Sequence, residues 1–217
     1  MFSSDGRYVA WASQKSGVLE ATVHVREVPT GAEISLITSP VTVSAIAFSP
    51  DNGYLAIANG LGTTQIVHTD SAEKVAQTQQ DGEVKSVSFS PDGKYLATAS
   101  TDRTARVWAV GTGQEVARMT FKADAAAVSF SPDGKYLAAA SADKTTIVSP
   151  WRSSDMIDAA CARLTHNLKP DEWSAYVGDA SYNKTCRDLP IGRGLRDMIS
   201  DMISPTVGES SGSLNSP

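Results

Sequence analysis

Phe89-Ser90-Pro91-Asp92-Gly93-Lys94-Tyr95-Leu96-Ala97 decides how the chain is read, because it recurs without change from Phe130 to Ala138. Phe48-Ser49-Pro50-Asp51-Asn52-Gly53-Tyr54-Leu55-Ala56 is a close copy, and Phe2-Ser3-Ser4-Asp5-Gly6-Arg7-Tyr8-Val9-Ala10 a looser one. The four starts lie 46, 41 and 41 residues apart. Self-similarity at that period describes an array of small sheets, each stacked on its neighbours, rather than one irregular globule.

The third repeat shows the grammar most clearly. Val84 to Phe89 alternates Val87 and Phe89 with Ser86 and Ser88, the pattern of a strand covered on two unlike faces. Ser90-Pro91-Asp92-Gly93 then turns the chain: proline presets φ, aspartate bonds the local backbone, and glycine accepts positive φ. Tyr95 to Ser100 returns, Ala105 to Val110 follows the Thr101-Asp102-Arg103 connection, and Glu115 to Phe121 follows Gly111-Thr112-Gly113. One repeat is therefore a four-stranded antiparallel meander. The second repeat has the same four strands; its Gly60-Leu61-Gly62 connection has neither a GxxxxGK pattern nor a following helix, so it reads as a turn. The fourth repeat stops after three strands, and the first lacks its opening strand.

Strand order, turn, period and core pattern together resemble the WD-repeat β-propeller, in which four-stranded blades pack around an axis. The resemblance covers residues 1–150 and is most specific in FSPDGKYLATAS…TARVW. It implies an all-β fold: a partial β-propeller of about three and a half four-stranded WD-type blades, followed by a short α-helical C-terminal segment. It also implies a hydrogen-bonded network within a blade, for which Thr98, Asp102 and Trp108 match, with Gln80 where the family places a histidine. Asp143 matches in the fourth repeat, where Ser149 replaces the tryptophan; in the second, Gly62 and His68 take the places of aspartate and tryptophan. Met1 falls inside a repeat and the last repeat lacks a strand, so the chain is expected to be the C-terminal part of a longer protein.

The composition changes after Val148. Three parts are expected: blades over 1–150, a short helical module over 151–190 and a flexible tail over 191–217. Ser154-Asp155 can cap a helix carrying Ile157, Ala160, Cys161, Leu164 and Leu168 at helical spacing, and Pro170-Asp171-Glu172 can start a second one ending near Gly178. MIDAACARLTHNLKPDEWSAYVGD…YNKTCRDLP resembles a tail found behind propellers in bacterial multidomain WD-repeat proteins, through Cys161, Trp173, Tyr182, Cys186 and Pro190. There the propeller commonly accompanies a NACHT or NB-ARC-type NTPase, a caspase-like domain or a kinase. Cys161 and Cys186, the two cysteines, have no metal-like CxxC spacing and are expected to be buried free thiols, with a disulfide as the alternative.

Nineteen basic and 24 acidic residues give a formal charge of -5 without a block of either sign, so no nucleic-acid or anionic-membrane partner is expected. With no signal peptide and no long apolar span, cytoplasmic localisation is the expectation. His24, His68 and His166 accompany no HExxH or GxSxG motif and read as surface or structural residues. No catalytic residue, metal or cofactor is expected. Arg103, Arg106 and Lys144 border the connections at a propeller edge and are the candidates for a partner-facing rim. The expected function is non-catalytic protein–protein interaction, as scaffold or sensor module of a larger signalling protein, with self-association through the incomplete end blades. The alternatives are a propeller hydrolase or lyase with an axial site, for which the first strands offer only Glu83 and Lys85, and a truncated fragment without independent function.

Overall fold

The structure, a computed structural model, describes residues 1–162 and Cys186. The chain divides into two compact units, Met1–Met156 and Ile157–Pro217. In the first, strands β1 (Tyr8–Gln14), β2 (Ala21–Glu27) and β3 (Glu33–Ser39) form one sheet, and β4 (Val43–Phe48), β5 (Tyr54–Asn59), β6 (Thr63–His68) and β7 (Lys74–Gln79) the next. β8 (Val84–Phe89), β9 (Tyr95–Ser100), β10 (Thr104–Ala109) and β11 (Glu115–Thr120) form the third sheet. The fourth comprises β12 (Ala125–Phe130), β13 (Tyr136–Ser141) and β14 (Thr146–Pro150). Each is an antiparallel meander in which sequence neighbours pair. In place of an opening strand, the first sheet has a single bridge from Phe2 to Val9.

The repeated phrase is a hairpin held by its own polar atoms. Ser90 Oγ donates to Asp92 Oδ1 at 2.5 Å and accepts the Tyr95 amide at 3.0 Å, while Gly93 turns the backbone at φ 69°. The same serine-to-aspartate bond occurs at Ser3, Ser49 and Ser131. Four copies of one local solution thus start four sheets in the same way.

Packing sets large side chains on small ones between the second and third and the third and fourth sheets, and joins larger apolar side chains on both sides between the first and second. The face of the second sheet that meets the first presents Phe48, Leu55 and Val67, packed with Ala10, Val23, Val25 and Ile37. Its opposite face presents Ala47, Ala56, Ile66 and Ala76 to Phe89, Leu96 and Val110 of the third. Ala97, Ala99 and Val107 then meet Val128, Phe130 and Leu137. Leu55 and Leu96 are fully buried and Leu137 is 1% exposed. Burying each such side chain contributes about 2 kcal/mol, and the alanines opposite let adjacent sheets approach closely enough to do it.

After β14, helix α1 (Ser153–Cys161) has Asp155 in its first turn, where the helix dipole favours a carboxylate. The expected positions Leu164 and Leu168, the second helix and the tail over 191–217 lie outside the described residues. Cys161 and Cys186 are not free thiols: they form a disulfide, with their Cα atoms 5.5 Å apart and the two residues 25 positions apart in sequence.

Candidate functional site

The third sheet holds a continuous polar network. Trp108 Nε1 donates to Thr98 Oγ1 at 2.8 Å, Thr98 Oγ1 donates to Gln80 Oε1 at 2.6 Å, and Gln80 Nε2 donates to Thr104 Oγ1 at 3.2 Å. Thr104 donates from its hydroxyl and its amide to Asp102 Oδ1, at 2.6 and 2.9 Å. Gln80 reaches in from the connection between β7 and β8 and is 1% exposed. Burial opposes the charge of Asp102, but the bonds from Thr104 and the nearby Arg106 guanidinium outweigh it and hold the carboxyl below its ordinary range. A buried carboxylate satisfied in this way is a fixed strut of the turn rather than an acid waiting for a substrate.

Arg106 belongs to that network and not to a rim. It is 8% exposed, its Nη2 lies 2.8 Å from Asp102 Oδ2 and its Nη1 3.3 Å from Glu115 Oε2, and its guanidinium stands 5.8 Å from the Trp108 ring centre. Strand alternation places Arg106 and Trp108 on the same face of β10, where the turn carboxylate is in reach. Arg103 and Lys144 do stand on the surface. Both have φ 67°, and Gly62 occupies the corresponding turn with φ 82°.

Pairing registers identify the equivalent positions elsewhere. Leu55 pairs with Val67 as Leu96 pairs with Trp108, so Val67 rather than His68 takes the tryptophan's place in the second sheet. By the same register Leu61, not Gly62, stands where Asp102 does. Asn59 takes over the turn instead, its Oδ1 accepting the Leu61 and Thr63 amides at 3.0 and 3.1 Å. Gly62 is required there, because a Cβ would lie 2.1 Å from the Gln80 carbonyl oxygen. In the fourth sheet Asp143 accepts bonds from the Thr145 hydroxyl and amide, but Ile147 and Ser149 stand where the third sheet has Arg106 and Trp108. The Thr145 hydroxyl bond, more than any other cause, lowers the Asp143 pKa.

On the opposite edge the four hairpins hold a row of ionised carboxylates. Hydrogen bonds from Ser3, Ser49 and Ser131 are the main cause lowering Asp5, Asp51 and Asp133; at Asp92 burial works the other way and is outweighed by Ser90 and the Lys94 amide. His24 lies 4.9 Å from the Trp11 ring and bonds Ser13, while His68, 5.1 Å from the Tyr54 ring, lines one cleft together with Asp5 and Asp51. His166 lies outside the described residues. Glu83 and Lys85 pair with each other at 2.6 Å.

Trp151 and Arg152 were not signalled by motif. Trp151 is 3% exposed, packs edge-on to Tyr95 at 4.6 Å and Phe130 at 5.4 Å, and donates from Nε1 to the Gly134 carbonyl at 3.0 Å. The signal that finds them is the repeat register, which sets them level with Val110 and Gly111.

A family model described as WD domain, G-beta repeat, matches residues 73–109 and 118–148. These spans contain β9 and β10 with Thr98, Asp102 and Trp108, and β12 and β13 with Asp143. No curated protein matches the chain. Among the described residues no helix is long and apolar enough to cross a membrane. The two matched stretches, four antiparallel meanders and their face-to-face stacking make this an all-β, partial β-propeller-like array with a WD-type match in its third and fourth sheets, and WD repeats are generally protein-interaction scaffolds.

Proposed function

We propose that the chain is a non-catalytic protein–protein interaction scaffold or sensor module of a larger signalling protein. One observation carries this reading: Gly62, Arg103 and Lys144 occupy equivalent turns with φ of 82°, 67° and 67°, so one backbone frame displays different side chains. Non-glycine residues at positive φ are strained, and a frame that keeps arginine and lysine there spends stability on exposed cations. The proposed setting is a bacterial multidomain WD-repeat protein with an NTPase, caspase-like or kinase effector, supported by the resemblance carried by Cys161, Trp173, Tyr182, Cys186 and Pro190.

Arg103→Gly with Lys144→Gly tests the reading well, because glycine suits the backbone there and stability should stay within about 1 kcal/mol of the parent chain. The measurement is quantitative affinity capture from lysate of the source organism. A defined protein retained by the parent chain and lost by the double variant is expected; equal retention, with both proteins folded, contradicts a partner-facing role for these two residues. A disulfide persists in oxidising compartments and is reduced in most cytosols, so a cytoplasmic form of the chain would carry Cys161 and Cys186 as thiols.

A further inference from the structure

Successive hairpins meet in three equivalent clefts, and the chain itself fills one of them. Between the third and fourth hairpins, Arg152 Nη2 lies 3.5 Å from Asp92 Oδ2, its Nη1 donates to the Gly134 carbonyl at 3.3 Å, and its guanidinium stands 5.8 Å from the Tyr95 ring centre. The Trp151 ring, 4.5 Å from the same guanidinium, closes the other side. An arginine held by Asp92, a carbonyl and two aromatic faces, with Asp155 Oδ2 also 3.9 Å from its Nη1, uses every recognition property of that side chain.

Between the second and third hairpins the same frame is empty of such a pair. The register that aligns Ser149 with Trp108 puts Val110 and Gly111 level with Trp151 and Arg152. The smaller residues leave a cleft of about 360 Å³, lined by Asp51, Tyr54, Asp92, Lys94, Val110 and Gly111. Asp51 and Tyr54 correspond to Asp92 and Tyr95. Asp51 Oδ1 is engaged by the Ser49 hydroxyl at 2.5 Å and the Gly53 amide at 3.1 Å. Its Oδ2 accepts no hydrogen bond among the described residues, which is the oxygen that Arg152 meets on Asp92. By the same register Lys94 corresponds to Lys135. The first cleft, about 310 Å³, differs in kind: it contains the chain's own Arg7, and Asp70 stands in the position of Arg152.

We propose that the cleft between the second and third hairpins binds an arginine side chain of a protein partner, seated against Asp51 and Tyr54 as Arg152 is seated against Asp92 and Tyr95. The proposal rests on the interaction-module reading and specifies the partner's chemistry: an exposed arginine, best flanked by an aromatic residue that takes the place of Trp151. Lysine fits less well, since an ammonium neither stacks flat on Tyr54 nor reaches carboxylate and carbonyl together.

The test is a titration of the full chain with acetyl-Trp-Arg-amide, followed by residue-resolved NMR, with acetyl-Trp-citrulline-amide as the uncharged isostere. Saturable shifts at Asp51, Tyr54, Lys94 and Gly111 are expected, and the citrulline probe should bind about tenfold more weakly. Asp51→Asn keeps the Oδ1 acceptor for Ser49 and Gly53 and should weaken the arginine probe by about tenfold as well. Gly111→Arg should abolish the shifts by filling the cleft from within; a Cβ at Gly111 meets no atom within 4 Å, so the variant is compatible with the fold. Equal binding of both probes, shifts that persist in Gly111→Arg, or shifts confined to other loops would overturn the proposal. If the probe does not bind there while capture dependent on Arg103 and Lys144 survives, the arginine site alone fails; the converse result removes the rim and leaves the cleft.

Discussion

Gln80 is the residue on which the third sheet's polar network turns, since it accepts from Thr98 on β9 and donates to Thr104 at the start of β10. Gln80→Leu is expected to lower stability by about 1 to 3 kcal/mol, the cost of leaving buried hydroxyls unmatched. Gln80→His should recover most of that loss, because imidazole offers one acceptor and one donor; chemical denaturation of the two variants checks both. Acid gives a second prediction at this scale. The hairpin aspartates, Asp102 and Asp143 all have lowered folded pKa values. Their folded carboxyls take up protons less readily than the unfolded ones, so the stability they contribute is present above about pH 4 and is lost as pH falls through the folded values. Asp102→Asn should flatten part of that acid limb in a pH series of thermal melts. Thr98, Asp102 and Trp108 were legible in the sequence because each sits at a fixed offset from the repeated phrase. Thr104 as the bridge was not, because that role depends on Gln80 entering from a neighbouring connection, nor was Arg106 as an inward cation, whose partners Asp102 and Glu115 come from a turn and from the next strand.

At the scale of elements, the hairpin explains why strand positions could be read closely and why the last strand of the array hides more than its local sequence shows. Serine, aspartate and glycine within six residues determine the turn without help from the rest of the chain. Trp151 lacks such a local signature; its place follows only from the register of β13 on β14. Trp151→Ala should cost about 3 to 5 kcal/mol, through lost burial and the cavity left between Tyr95 and Phe130, as measured by urea denaturation. Gly62→Ala is expected to be among the most damaging single-methyl additions, about 2 kcal/mol or more, because backbone rather than a flexible side chain blocks the new Cβ. The second sheet's turn was read one residue out of step for a related reason: Asn59 does the work of Asp102 from a different position, and only the pairing register reveals it.

At the scale of the whole molecule, the sheets that end the array differ from those inside it. Trp11 and Leu36 on the first sheet are 36% and 49% exposed, and Tyr136 and Val148 on the fourth are 45% and 65% exposed. Uncovered sheet faces of this kind favour association, so sedimentation velocity should show a concentration-dependent shift that Val148→Lys reduces. In the C-terminal unit, the Cys161–Cys186 disulfide closes a 25-residue separation and is expected to contribute about 3.5 kcal/mol by the loop-entropy relation; reduction with a phosphine should lower that unit's melting point. Sequence spacing favoured free thiols over a disulfide and the structure overturns that expectation, because pairing depends on a three-dimensional approach that a single chain of letters does not display. The most direct measurement is residue-resolved amide hydrogen exchange on the intact chain. Four stacked sheets predict the slowest exchange in β5, β9 and β10, whose two faces are covered, and markedly faster exchange in β1 and β14. Fast exchange in β9, or equal protection across β9 and β14, would contradict the stack of blades.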